Sequence, residues 1–276
     1  MSDTWSILRC PTCGRAPGPI PGACAGCGRG VRSPGGAFDL LTDAERYAAG
    51  AFAAAYSNLR RSEGWASLDG GEGPGSGADH LWKPRRRAAQ RAAQWIAGGL
   101  VLDVGSGGAW LAGLLPGAAV ISVDIIEPPD GGSSGLRVRG DMTRLPVASA
   151  AIDTCVYCAS LHHAPLGPAL TEAARVLRPN GLLVVLESPF YRDAAAAAAA
   201  RERSRAYYRK AGVAELVDAY HPIAQDTLES ALTGAGFAVE LLQQPRPWRV
   251  PGRPPRFPLL VARRKAGEDA AEQDDQ

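Results

Sequence analysis

"VLDVGSGGAWLAGLL", residues 101–115, is the stretch on which the fold turns. An apolar run ends in Val104 and passes straight into Gly105-Ser106-Gly107-Gly108, after which the spacing of apolar residues predicts a helix. Glycines at the end of a buried strand let the chain turn tightly and let a ligand approach the backbone. In open α/β sheets, ligands bind at such carboxyl ends. Trp110 stands where a dinucleotide-binding loop would carry its third glycine, so that pattern fits poorly. Asp103, two residues before the loop, makes the pattern D-x-G-x-G instead.

Working outward, short apolar runs recur at 100–104, 119–125, 151–160 and 181–188, each long enough for a strand buried on both faces. Helical or loop segments separate them, which predicts βα units and a parallel sheet covered by helices. FAVELLQ (237–243) and FPLLVARRK (257–265) predict two further strands, joined by a loop too long for a tight hairpin. Upstream, residues 38–62 are rich in helix formers, and Thr42 with Glu45 three residues later reads as a capping box. A Gly-rich stretch follows at 69–79, and a second helix is expected through RRRAAQRAAQWIAGG, ending at Gly98 and Gly99. Asp124 closes the second strand about twenty residues after the loop, where a carboxylate can take ribose hydroxyls. Asp141, in GDMTRLP, stands at the third position of the series, where it could bond an adenine amino group.

Together these motifs resemble a class I S-adenosylmethionine-dependent methyltransferase. Asp103, Gly105 and Gly107 match the family's glycine motif, Asp124 its ribose-binding acid, and Asp141-Met142 its adenine-contacting pair. LPVASAAIDTCVYCASLHH and EAARVLRPNGLLVVLESP resemble the stretches around its fourth and fifth strands. The resemblance implies an α/β, Rossmann-like, seven-stranded, mostly parallel sheet with helices on both faces. It also implies cofactor contacts from Ser106, Ile125 and Ala159, and an acceptor beyond Ala159-Ser160-Leu161-His162-His163.

Methyl transfer from a sulfonium needs an aligned acceptor, exclusion of water and, for some acceptors, removal of a proton. His162 and His163 are the candidate catalytic bases, because imidazole titrates near neutral pH; packing and helix capping are the competing uses of the same pair. His221, Tyr207, Tyr208 and Tyr220 fall in the region that covers the acceptor pocket in this fold, and His80 with Trp82 fall beside the Gly-rich stretch as lid candidates. Cys155 and Cys158, three apart in a strand, point to opposite faces and cannot share an ion there.

Near the amino terminus, CPTCGRAPGPIPGACAGC (10–27) holds two CxxC pairs, each followed by glycine. In a reducing compartment that spacing indicates metal rather than disulfides. Cys10, Cys13, Cys24 and Cys27 are therefore expected to hold a structural zinc, with no position left for catalysis. The expected organisation is a zinc ribbon over 1–37 and a helical linker with Gly-rich loop over 38–79. A cofactor-binding domain over 80–265 and an acidic tail over 266–276 complete it. Loss of metal from such a ribbon should loosen the amino terminus and leave cofactor binding largely intact.

A ribbon ahead of this fold partly resembles bacterial ribosomal RNA guanine methyltransferases, which share CPxC and an FD dipeptide, here Phe38-Asp39. Those enzymes tend to have a histidine in the second metal pair, where this chain has cysteines, and LHH with RVLRPNG reads closer to the small-molecule branch. The formal net charge of +2 does not demand nucleic acid, although basic clusters occur at 83–91 and 246–265. A small molecule is the favoured acceptor, a ribosomal RNA base the alternative, and a non-catalytic ribbon protein that recruits a partner the reading from another class. No run of eighteen apolar residues and no signal-peptide pattern appear, so no membrane partner and a cytoplasmic location are expected.

Overall fold

The computed structural model describes residues 4–18, 22–33, 36–65, 79–127, 135–244 and 257–266. The Gly-rich residues 69–78, the basic residues Arg246, Arg249, Arg253 and Arg256, and the tail from 267 lie outside them.

The second cysteine pair, Cys24 and Cys27, lies in the turn of a small antiparallel hairpin, β1 (Gly22–Ala23) and β2 (Gly30–Val31), and the first pair precedes it in the chain. A two-residue strand, β3 (Phe38–Asp39), leads into helix α1 (Asp43–Ser62). The helix starts at the expected cap: the Thr42 hydroxyl accepts the Glu45 N–H, and the Glu45 carboxylate accepts the Thr42 N–H at 2.6 Å. Helix α2 (Asp79–Ala93) stops short of the expected glycines, and the chain reverses through Gly98 and Gly99, both with positive φ. Then β4 (Gly99–Val104), β5 (Ala118–Asp124), β6 (Leu136–Arg139) and β7 (Ile152–Cys158) run as parallel neighbours.

Between β4 and β5 the predicted helix is only a short 3-10 turn, Trp110–Leu114. Pro116-Gly117 and the start of β5 leave no length for more. Helix α3 (Leu166–Val176) feeds β8 (Leu177–Leu186), which carries a bulge at Pro179-Asn180-Gly181: Ile152 pairs with Leu177 but Thr154 with Leu182, and Asn180 is left-handed. After β9 (Phe190–Tyr191), α4 (Ala194–Lys210), β10 (Ile223–Ala224) and α5 (Gln225–Gly234), the antiparallel strands β11 (Phe237–Gln243) and β12 (Leu259–Arg264) complete the main sheet.

The main-sheet order is β11-β12-β8-β7-β4-β5-β6-β3. The expected seven strands are present, and β3 adds an eighth, parallel to β6 at the edge. Alternation sorts the strand residues onto two cores. Leu102, Val104, Cys155 and Tyr157 pack toward α3 and α5, while Val101 and Val156 pack toward α2. Cys155 and Cys158 accordingly sit on opposite faces.

The amino-terminal cysteine segment is not a detached bead. Leu8 and Val31 belong to the main core with Leu40 and Val147. Arg9 N–H donates to the Pro146 carbonyl at 2.9 Å, and Ala148 N–H to the Ile7 carbonyl at 2.8 Å. Buried Asp39 then ties β3, α1 and β6 together by accepting from Arg46 at 2.9 Å and Arg139 at 3.1 Å. Burial alone would raise its pKa, but the two guanidiniums hold it below the usual carboxylate value.

Candidate active site

The sheet order reverses at β4, whose neighbours are β5 on one side and β7 on the other. The crevice at its carboxyl end is therefore where an open α/β sheet takes a ligand. Gly105 leaves the strand with φ 69°, its N–H bonded to the Val123 carbonyl at 2.8 Å. A Cβ there would collide with the Cβ of Ser160, whose hydroxyl donates to the Val104 carbonyl at 2.5 Å. Glycine is thus required both by conformation and by space.

Above this loop lies a cavity of about 490 Å³. Gly105, Ser106, Gly107, Asp124, Ile125, Asp141, Met142 and Ala159 all line it. Asp124 accepts the N–H groups of Gly107 at 2.8 Å and Ile126 at 2.9 Å, yet burial outweighs them and lifts its pKa. Asp141 is held in place by Thr143, whose N–H and hydroxyl both reach its Oδ1 at 2.6 Å. Asp103 does not line the cavity; it is buried in β4, and its Oδ1 has no hydrogen-bond partner. Burial, and then the charge of Asp124, push the Asp103 pKa up to about 7.

The opposite wall is α1, unforeseen in this role. Glu45, Ala48, Ala49, Phe52, Tyr56 and Arg60 present one helical stripe to the cavity. Their spacing is visible in the sequence, but it is equally that of any core-facing helix, and nothing local says that a ligand site lies opposite. Trp82 closes another side, its indole N–H donating to the Trp65 carbonyl at 3.1 Å.

A second cavity of about 600 Å³ adjoins the first, sharing Arg60, Arg85 and Ala159 with it. Ala159 follows β7 and Glu187 follows β8, and both adopt left-handed backbone, φ 58° and 57°. Non-glycine residues pay about 1 kcal/mol or more for that conformation, and such strain gathers at functional sites.

The two histidines divide between the cavities. His163 lines the first, with Nδ1 at 3.3 Å from the Ala219 carbonyl and Nε2 buried without a partner. A carbonyl can only accept, so Nδ1 carries the proton and Nε2 presents its lone pair. Burial, then the Arg60 charge, lower its pKa to about 4. His162 lines the second cavity, with Nδ1 3.1 Å from the Ser188 hydroxyl, and burial lowers its pKa as well. Of the other candidates, Tyr220 and His80 line the second cavity. Tyr208 packs with Leu216, exposed Tyr207 donates to Glu63, and the His221 N–H donates to the His162 carbonyl.

Residues 102–185 match the family described as methyltransferase domain. This segment carries a methyltransferase domain. Solved structures agree in fold. The Burkholderia thailandensis 1,6-didemethyltoxoflavin-N1-methyltransferase, solved with bound 1,6-didemethyltoxoflavin and S-adenosylhomocysteine, is 20% identical, with a TM-score of 0.52 over 78% of this chain and 89% of that one. An S-adenosylmethionine-dependent methyltransferase from Mesorhizobium loti is 20% identical, with a TM-score of 0.50 over 65% of this chain and 98% of that one. No curated protein matches the chain in sequence.

Away from this crevice, the sulfurs of Cys10, Cys13, Cys24 and Cys27 all lie within 4.8 Å of one another. The two pairs fold alike: Gly14 N–H donates to the Cys10 carbonyl and Gly28 N–H to the Cys24 carbonyl, both at 2.8 Å, with φ 72° and 71° at the glycines. Sulfur separations of 3.7 Å (Cys10–Cys27) and 3.6 Å (Cys13–Cys24) suit a tetrahedral ion, since bonds of about 2.3 Å put sulfurs roughly 3.8 Å apart.

Proposed function

We propose that the chain transfers a methyl group from S-adenosylmethionine to a small-molecule acceptor, with a structural zinc in the amino-terminal ribbon. The observation that carries this reading is the pair of adjoining cavities that meet at Ala159, one bounded by the glycine loop and the other by α2 and the end of β8. One side offers a cofactor site, and the other offers a separate volume on the scale of a small molecule.

Asp124 is suited to ribose hydroxyls, Met142 and Asp141 to adenine, and the Gly105–Gly107 backbone to the amino-acid portion of the cofactor. Asp103, buried beneath the loop and outside the cavity lining, would favour a cationic ligand only by its charge acting through space. When bound, the cofactor supplies a methyl group on a sulfonium, with a neutral thioether as leaving group.

The protein's part is then to hold the acceptor in line and keep water out. His163 Nε2, neutral at pH 7 and free of partners, is the group placed to accept a proton from an acceptor O–H or N–H. His162, hydrogen-bonded to Ser188 and stacked edge-on against Tyr220, is a wall and positioning residue. The ribbon over 1–37, the linker over 38–79 and the cofactor-binding domain over 80–265 are the working divisions.

Incubating the zinc-loaded protein with labelled S-adenosylmethionine and fractionated cell extract tests the acceptor class. Label should enter the small-molecule fraction and fall on His163→Ala. Label entering ribosomal RNA alone would contradict the acceptor named here and favour an RNA base.

A further inference from the structure

The second cavity restricts the acceptor's chemistry, given the methyl-transfer reading above. Its cations are Arg60, Arg85, Arg87 and Arg91, set against one carboxylate, Glu187. Among the described residues no carboxylate comes within ion-pair distance of Arg85, Arg87 or Arg91. The Arg85 guanidinium lies over Trp65 at 4.5 Å and Trp82 at 5.2 Å, and its Nε is buried with no partner. A guanidinium stacked on indole faces is fixed in plane and keeps its N–H edge for an anion. Opposite, the Tyr191 and Tyr220 hydroxyls bond each other at 2.8 Å, which satisfies their polar ends and leaves ring surface toward the cavity.

We propose that this cavity takes a small aromatic acid as the methyl acceptor, its ring against Tyr191 and Tyr220 and its carboxylate on Arg85 and Arg91. Arg85 and Arg60 border both cavities, so the cofactor's own carboxylate competes for them; Arg87 and Arg91 border only the second. Cation and aromatic walls together select a charged planar ligand. A neutral one would leave Arg85, Arg87 and Arg91 with Glu187 as the only carboxylate among the residues lining the cavity.

The test uses protein saturated with S-adenosylhomocysteine, so that the cofactor's carboxylate is already accommodated. Benzoate, salicylate, indole-3-carboxylate and quinoline-2-carboxylate are titrated beside their primary amides, following tryptophan fluorescence and heat. At least one acid should bind about tenfold or more tighter than its amide, as a charge-assisted bond predicts. Arg91→Gln should erase that preference while S-adenosylhomocysteine still binds; Arg85→Gln should do so too, provided circular dichroism shows it folded. If S-adenosylhomocysteine binds but no acid outcompetes its amide, the aromatic-acid proposal falls alone. If S-adenosylhomocysteine does not bind, the methyl-transfer reading falls and takes the proposal with it.

Discussion

Asp103 shows how much depends on a single buried carboxyl. Its D-x-G-x-G position is legible in the sequence, but its isolation is not, because only the folded sheet removes water and partners from Oδ1. With a pKa of about 7, Asp103 is partly protonated in the free protein near neutrality. A cationic ligand favours the carboxylate, so cofactor binding should release a proton and weaken as pH falls from about 7 to 5.5. Calorimetry in buffers of different ionisation enthalpy should count that proton, and Asp103→Asn should flatten the profile.

Stability carries two opposed contributions. Asp103 is raised in the folded state, so its stabilising share is full below about pH 4 and is lost as pH rises through 7. His163 is lowered to about 4, so below its ordinary value of 6.5 the unfolded chain takes a proton that the folded one refuses. Its share is therefore lost as pH falls from 6.5 to 4. Thermal melts of His163→Gln should be less acid-sensitive between pH 6.5 and 4.5 than wild type. Those of Asp103→Asn should be more so. At Gly105, alanine must adopt φ 69° and strike Ser160, which should cost more than about 1 kcal/mol and abolish cofactor binding.

Among the elements, the central strands were readable because burial on both faces forces largely apolar runs, as at 100–104 and 151–160. The two-residue β3 was not readable, since Phe38-Asp39 is too short to carry a period and is set by pairing with β6 and by the Arg46–Asp39–Arg139 cluster. The turn at Trp110–Leu114 is shorter than the helix its sequence predicts, because apolar spacing says nothing of the length left before β5. Helix α1 was half legible: the capping box was plain, but its role as cavity wall came only with the fold. Glu45 serves both roles. Thr42→Ala should cost about 1 kcal/mol through the lost cap and also weaken cofactor binding, readable from melting and calorimetry on one sample.

For the whole molecule, the amino-terminal cysteine segment changes meaning. Its sequence reads as a separate module, yet Leu8 and Val31 are core residues, and Arg144 links the Pro11 carbonyl to Glu45 on the cavity wall. Such long-range ties are invisible locally, because Arg144 lies far along the chain from the cysteines. With zinc bound as proposed, chelation should lower the melting temperature of the whole protein and weaken cofactor binding several-fold. Unchanged binding after confirmed metal loss would return the ribbon to the independent role that its sequence suggests.

The central claim, that the crevice above Gly105 holds S-adenosylmethionine, is tested most directly by calorimetry with S-adenosylhomocysteine. Wild type should bind one equivalent, and Asp124→Ala, still folded by circular dichroism, should lose that binding. No heat with wild type, or equal binding by Asp124→Ala, would contradict the account.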